Sequence, residues 1–136
     1  MADITITAAS VKLISGPTEQ INAGGTLTAG QAVYKEAATG KAKLADNDSA
    51  TAEVRTVHGM TLGGAGTDQP VTIAKNGAVI DLGAVLTAGV DYYLSGTPGA
   101  ICPRADVVTT DDPIRIGMAL TTARLQLDIN DPNVTL

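Results

Sequence analysis

The stretch Leu27-Thr28-Ala29-Gly30-Gln31-Ala32-Val33-Tyr34 is echoed 59 residues later by Leu86-Thr87-Ala88-Gly89-Val90-Asp91-Tyr92-Tyr93. Glycine takes positive φ at no steric cost, and the residues after it favour extended backbone, so each block reads as a turn that launches a strand. The likeness spreads outward. Gly40 answers to Gly99, Ala45-Asp46 to Ala105-Asp106, and Gly59-Met60 to Gly117-Met118. Upstream, Val11-Lys12-Leu13 and Ile21 stand as Val71-Thr72-Ile73 and Ile80 do, which predicts two related units over residues 11–64 and 70–123. Two units are too few for a solenoid, so they are read as halves of one domain.

Apolar residues elsewhere alternate with the period of half-buried strands: Ile4 and Ile6, Val11 and Leu13, Val71 and Ile73, Ile114 and Ile116, and Leu125, Leu127 and Ile129. Turn residues separate them at Thr39-Gly40, Gly63-Gly64-Ala65-Gly66, Asn76-Gly77 and Thr97-Pro98-Gly99, and Asn-Gly favours a two-residue hairpin. The pattern is that of an antiparallel all-β barrel or sandwich. One segment breaks it: Asp46-Asn47-Asp48-Ser49-Ala50-Thr51-Ala52-Glu53-Val54 offers capping types and then small residues, and predicts a short helix.

Composition agrees with a β domain. The 136 residues suit one domain. They are 44% hydrophobic, yet include three Tyr and no Phe or Trp, so the core must be aliphatic. Fifteen Gly and six Pro favour turns, and 17% charged residues is low for a soluble domain. A net charge of −5 opposes a sequence-independent grip on nucleic acid. No apolar run reaches the length of a membrane-spanning helix, and the start lacks the layout of a signal peptide, which together predict a chain intracellular in origin, made in the cytoplasm.

Candidate chemistry is sparse. His58 is the sole histidine and has no G-x-S-x-G elbow to serve, so a structural or surface role is expected. Cys102 is a lone cysteine without a resolving partner and reads as a buried, inert thiol, although the nearby Arg104 is a cation that could lower its pKa. Asp46 and Asp48 open like a calcium loop, but Ala50 and Thr51 occupy the next key positions, which favours a helix cap. Asp111-Asp112 before Pro113 reads as a solvated turn. The cluster at 63–66 and Gly40-Lys41-Ala42 both lack the ending of a phosphate loop. Tyr34 and Tyr93 are expected in core or interface packing. No catalytic residue, metal or cofactor is assigned.

Three parts are expected: an N-terminal arm over 1–10, a β domain over 11–129, and a polar C-terminal tail over 130–136. In the arm, Ala2-Asp3-Ile4-Thr5-Ile6-Thr7-Ala8-Ala9 reads as a strand without an evident mate, able to join a neighbour's sheet or to complete its own.

The repeated blocks, together with Thr39-Gly40-Lys41-Ala42-Lys43-Leu44-Ala45-Asp46, Gly59-Met60-Thr61-Leu62, Tyr92-Tyr93-Leu94-Ser95 and Ile116-Gly117-Met118-Ala119, resemble the head decoration, or capsid cement, proteins of tailed bacteriophages. The resemblance covers residues 3–129 and rests on turn-and-strand signatures. It implies an all-β, β-tulip-like barrel or sandwich. The expected protein is not an enzyme, lies on the outer virion surface, binds the major capsid protein as a homotrimer, and stabilises contacts between capsid subunits. The residues alone leave two other readings open: a head-fibre or tail accessory protein, and a small ligand-binding β module.

Overall fold

A computed structural model describes residues 3–4, 6–47, 49, 51–104, 107 and 113–130. The chain forms eleven strands among these residues: β1 (Lys12–Ser15), β2 (Thr18–Asn22), β3 (Ala32–Lys35), β4 (Ala42–Leu44), β5 (Gly59–Thr61), β6 (Pro70–Ala74), β7 (Val79–Asp81), β8 (Asp91–Leu94), β9 (Ile101–Pro103), β10 (Arg115–Ala119) and β11 (Arg124–Asn130). They build two antiparallel sheets, one ordered β2-β6-β5-β3-β4 and the other β1-β7-β11-β10-β8-β9. The all-β sandwich expected from the alternation is present, and neither sheet closes into a barrel. The predicted short helix is α1 (Ala52–Arg55).

The duplication is visible in the strand order. If β1 is set aside, the second sheet repeats the first with β7, β8, β9, β10 and β11 in the places of β2, β3, β4, β5 and β6. Pairing repeats too: Val33 opposes Leu44 and Tyr34 opposes Lys43 in the first sheet, while Tyr92 opposes Pro103 and Tyr93 opposes Cys102 in the second, each residue displaced by 59. Gly30 and Gly89, which end the two turns, have φ of 86° and 81°. The glycines of the two Gly-Met pairs are required by close strand approach, since a Cβ would lie 2.3 Å from the Ala74 carbonyl oxygen at Gly59 and 2.0 Å from that of Gln126 at Gly117.

The limits of the units differ from those expected. The sheets divide the chain at 18–74 and 79–130, so β6, which the sequence pattern sets at the head of the second unit, completes the first sheet. Val11-Lys12-Leu13 and Val71-Thr72-Ile73 are therefore not equivalent: the former leads into an edge strand, the latter lies inside the other sheet. Asn76-Gly77 is a tight turn, with the Ala78 N–H donating to the Lys75 carbonyl at 3.0 Å, but it carries the chain from one sheet to the other. Gly16 and Pro17 cross the same corner in the opposite direction. Gly16 has φ of 109°, and a Cβ there would sit 2.4 Å from the Ala78 Cα.

The main core lies between the sheets. Ala32, Tyr34, Met60 and Ala74 reach it from the first sheet, and Ile80, Tyr92, Leu94, Ile116, Leu125 and Leu127 from the second. On the far face of the first sheet, Val33, Ala42, Val71 and Ile73 form a smaller cluster under Leu27 and Ala65. Those two lids exchange backbone hydrogen bonds of 2.8 and 3.0 Å. The matched tyrosines consequently part company. Tyr34 is buried between the sheets, whereas Tyr93 points outward, half-buried, with the Arg104 guanidinium 5.7 Å from its ring centre.

Candidate partner surface and the N-terminal arm

The arm is docked on its own domain. The expected strand is absent from its described residues, Asp3, Ile4, Ile6 and Thr7, and Ala8–Ser10 make a single 3-10 turn. Ala2 and Thr5 lie outside the described residues. Asp3 accepts a hydrogen bond from the Ser95 hydroxyl, and the Ile4 N–H donates to the Ile101 carbonyl at 3.1 Å, a single bond to β9. Ile4 and Ile6 pack against the main core. Ile6 and Val11 lie where a side chain on Gly30 would stand, so the glycine of the first turn admits the arm. A depression of about 260 Å³ follows the seam, lined by Ile4 and Ile6 on one side and by the turns at 28–31 and 97–101 on the other. Alternation alone gives no strand here, because both isoleucines find cover without a second ladder. Thr7, Ala8 and Ala9 remain exposed.

The turns that end at Gly30 and Gly89 are held by the same backbone latch. The Gly30 N–H donates to the Thr61 carbonyl at 2.9 Å, and the Thr61 N–H to the Gln31 carbonyl at 2.9 Å. The Gly89 N–H and Ala119 carbonyl, at 2.8 Å, and the Ala119 N–H and Val90 carbonyl, at 3.0 Å, repeat it. The first copy adds a hydroxyl: Thr61 Oγ1 donates to the Thr28 carbonyl at 2.6 Å and accepts from the Gln31 N–H at 3.0 Å. In the second copy the Tyr92 hydroxyl accepts from the Thr87 N–H at 2.8 Å. Thr61 was not singled out by sequence reading, although its place three residues after the only histidine and inside the repeated Gly-Met block marks it.

His58 sits just ahead of β5, where its Nε2 meets Glu19 Oε1 on β2. Lys35 and Lys75 stand 3.7 and 3.9 Å from the same carboxylate. The His58 hydrogen bond is the main cause holding the Glu19 carboxyl below its usual range, with the His58, Lys35 and Lys75 charges adding to it against partial desolvation. This network ties β2, β3 and the residue that follows β6 to the entry of β5. A depression of about 370 Å³ beside it is lined by Lys35, Glu53, Thr56, Val57 and His58. Cys102 is buried in β9 of the other sheet. Among the described residues no group of three His, Cys, Asp or Glu side chains could hold a metal ion.

The capping residues have another use. Thr51 stands at the N-cap of α1 without a side-chain cap bond, and Asn47 is buried, its Nδ2 donating to the Leu94 carbonyl at 2.7 Å. Asn47 thus bridges the two sheets through its side chain. Asp48, Ala50, Asp111 and Asp112 lie outside the described residues. The glycine cluster at 63–66 belongs to the lid over the smaller core: a Cβ on Gly64 would come within 3.4 Å of the Leu27 carbonyl oxygen.

Among the described residues four large apolar side chains are exposed: Leu13 and Ile14 on β1, Met118 on β10, and Leu120 in the turn after it. No described helix is long and apolar enough to cross a membrane. These features define a two-sheet antiparallel β protein built by duplication. No protein-family model matches the chain, and no curated protein matches it either.

Proposed function

We propose that the protein is a non-enzymatic decoration protein of a tailed-bacteriophage head, bound to the outer capsid surface as a homotrimer and stabilising contacts between major capsid protein subunits. One observation carries the reading. The blocks on which the resemblance rests are the blocks that build the duplicated β3-β4-β5 and β8-β9-β10 frameworks, in matching register. A rigid scaffold assembled from turn signatures suits a protein whose work is to hold a surface. The acidic balance of the chain suits an outward position over contact with packaged DNA. The arm, Ala2 through Ala9, supplies the first candidate contact through its exposed end at Thr7, Ala8 and Ala9.

The test is reconstitution on heads that lack the protein. Saturable co-sedimentation at a fixed ratio to the major capsid protein, with greater resistance of the heads to heating, is the expected result. Native mass spectrometry of the released protein should give a trimer. Absence of binding, or binding confined to tails or fibres, would overturn the reading.

A further inference from the structure

The sheets have four edges, and they are treated differently. At β4 the edge is met by Ala23, which bridges Ala42, and by the Gly24 N–H, which donates to the Ala42 carbonyl at 2.7 Å. At β9 the arm supplies the Ile4 bond to Ile101. The remaining edges, β1 and β2, are one continuous border bent at Gly16 and Pro17. On β2 the more exposed positions are the polar Thr18, Gln20 and Asn22. Strand β1 is exposed along its whole length and shows Leu13 at 39% and Ile14 at 38%. Edge strands usually carry charge, proline or a cover; β1 has a single charge, Lys12, at its start, and the apolar Leu13 and Ile14 beyond it make a template for another strand. β1 is also the one strand outside the duplicated plan.

The register specifies what such a strand would carry. Lys12 lies opposite Asp81, and Asp81 opposite Arg124, so charge alternates across three strands and ends in a cation at the border. Among the described residues Lys12 makes no ion pair. In the next row Leu13 opposes Ile80, and Ile80 opposes Leu125, the latter two fully buried, so Leu13 carries the core row to the rim. Opposite charges facing each other across strands are favourable and like charges are not.

We infer that β1 receives an added strand from the capsid partner, an extended segment that sets a carboxylate opposite Lys12 and an apolar side chain opposite Leu13. The inference rests on the decoration reading and names the element that performs the attachment. A second copy fits the border less well. Residues 11–15 contain no acidic side chain, so β1 paired with its own copy leaves Lys12 facing an apolar residue, a serine or another lysine. A four-residue strand also falls well short of the roughly 1,200 Å² that a stable isolated interface needs. Several such contacts made at once by a trimer on a lattice add through effective concentration.

The experiment compares wild type, Lys12→Glu and Leu13→Asn in co-sedimentation with undecorated heads, with thermal unfolding of each. Wild type should bind, and each variant, assayed well below its own melting transition, should lose about tenfold or more in apparent affinity; the charge reversal lowers the melting temperature slightly, because it also faces Asp81. Lys12→Glu decides the matter if Leu13→Asn also unsettles the fold. Undiminished binding by Lys12→Glu and Leu13→Asn would overturn the assignment to β1 while leaving the decoration reading in place. A wild type that does not bind heads would overturn both. Sedimentation velocity without heads supplies the remaining arm: a wild-type dimer that Lys12→Glu abolishes would give the border to a second copy and overturn the assignment to the capsid.

Discussion

Thr61 shows how the two halves have diverged at one position. Its buried hydroxyl serves the Thr28 carbonyl and the Gln31 N–H, whereas the equivalent residue in the second half, Ala119, has no side-chain polar group and Tyr92 supplies a hydroxyl from another direction. Replacing Thr61 by Val keeps the shape and leaves two backbone groups without that partner, at a cost of about 1–3 kcal/mol. Urea unfolding should register that loss for Thr61→Val and much less of it for Thr61→Ser. A small loss in Thr61→Val beside a large one in Thr61→Ser would mean that methyl packing, not the hydroxyl, decides the site. Singly placed residues of this kind were hard to read from the sequence. Thr61 and Asn47 act across gaps of 30 to 47 residues, and nothing local in their neighbourhoods states who their partners are.

Most strands were legible at the scale of the element, because period-two burial is written directly into Val71 and Ile73 or Leu125 and Leu127. Two elements were not. Asn76-Gly77 has the chemistry of a tight turn wherever the chain goes next, and the contact that sends it across the sandwich, Gly16 against Ala78, is remote in sequence. Ile4 and Ile6 alternate like a strand, yet the core covers them, and among the described residues of the arm β9 takes a single bond. Removal of residues 2–9 should therefore cost stability. Half-burial of two isoleucines corresponds to about 2 kcal/mol, or several degrees in melting temperature. Differential scanning calorimetry of the truncated chain checks this, and an unchanged transition would show that the arm's packing contributes nothing. The sequence reading placed its candidate contact at residues 2–9 and did not single out β1, the exposed strand that begins just after them at Lys12.

For the whole molecule, the sheets cannot be separated without opening the core that both line. Tyr34 and Met60 of one sheet share that core with Tyr92 and Leu127 of the other, and the border strands run from sheet to sheet at the corner. Unfolding should be a single cooperative transition despite the internal repeat, as small one-core domains usually show. Far-ultraviolet circular dichroism and tyrosine fluorescence should give coincident denaturation curves. Two separated transitions would mean that each half holds together alone. The faces are used asymmetrically, since the side that buries Tyr34 in the first sheet corresponds to the side that exposes Tyr93 in the second. The duplicated sheets are stacked in series, with Leu27 and Ala65 covering one end and a face bearing the Arg115 ion pairs with Asp91 and Asp128 at the other.

The shared corner also imposes an order on synthesis. A ribosome delivers residues 12–15 before the first sheet, but their ladder partner, Val79–Asp81, emerges only after that whole sheet has been made. That sheet can pair from within 18–74 while Leu13 and Ile14 wait uncovered on the nascent chain. The border strand is thus translated before the first sheet and seated after it, and slowing elongation between residues 15 and 79 lengthens the interval in which its apolar side chains stay uncovered.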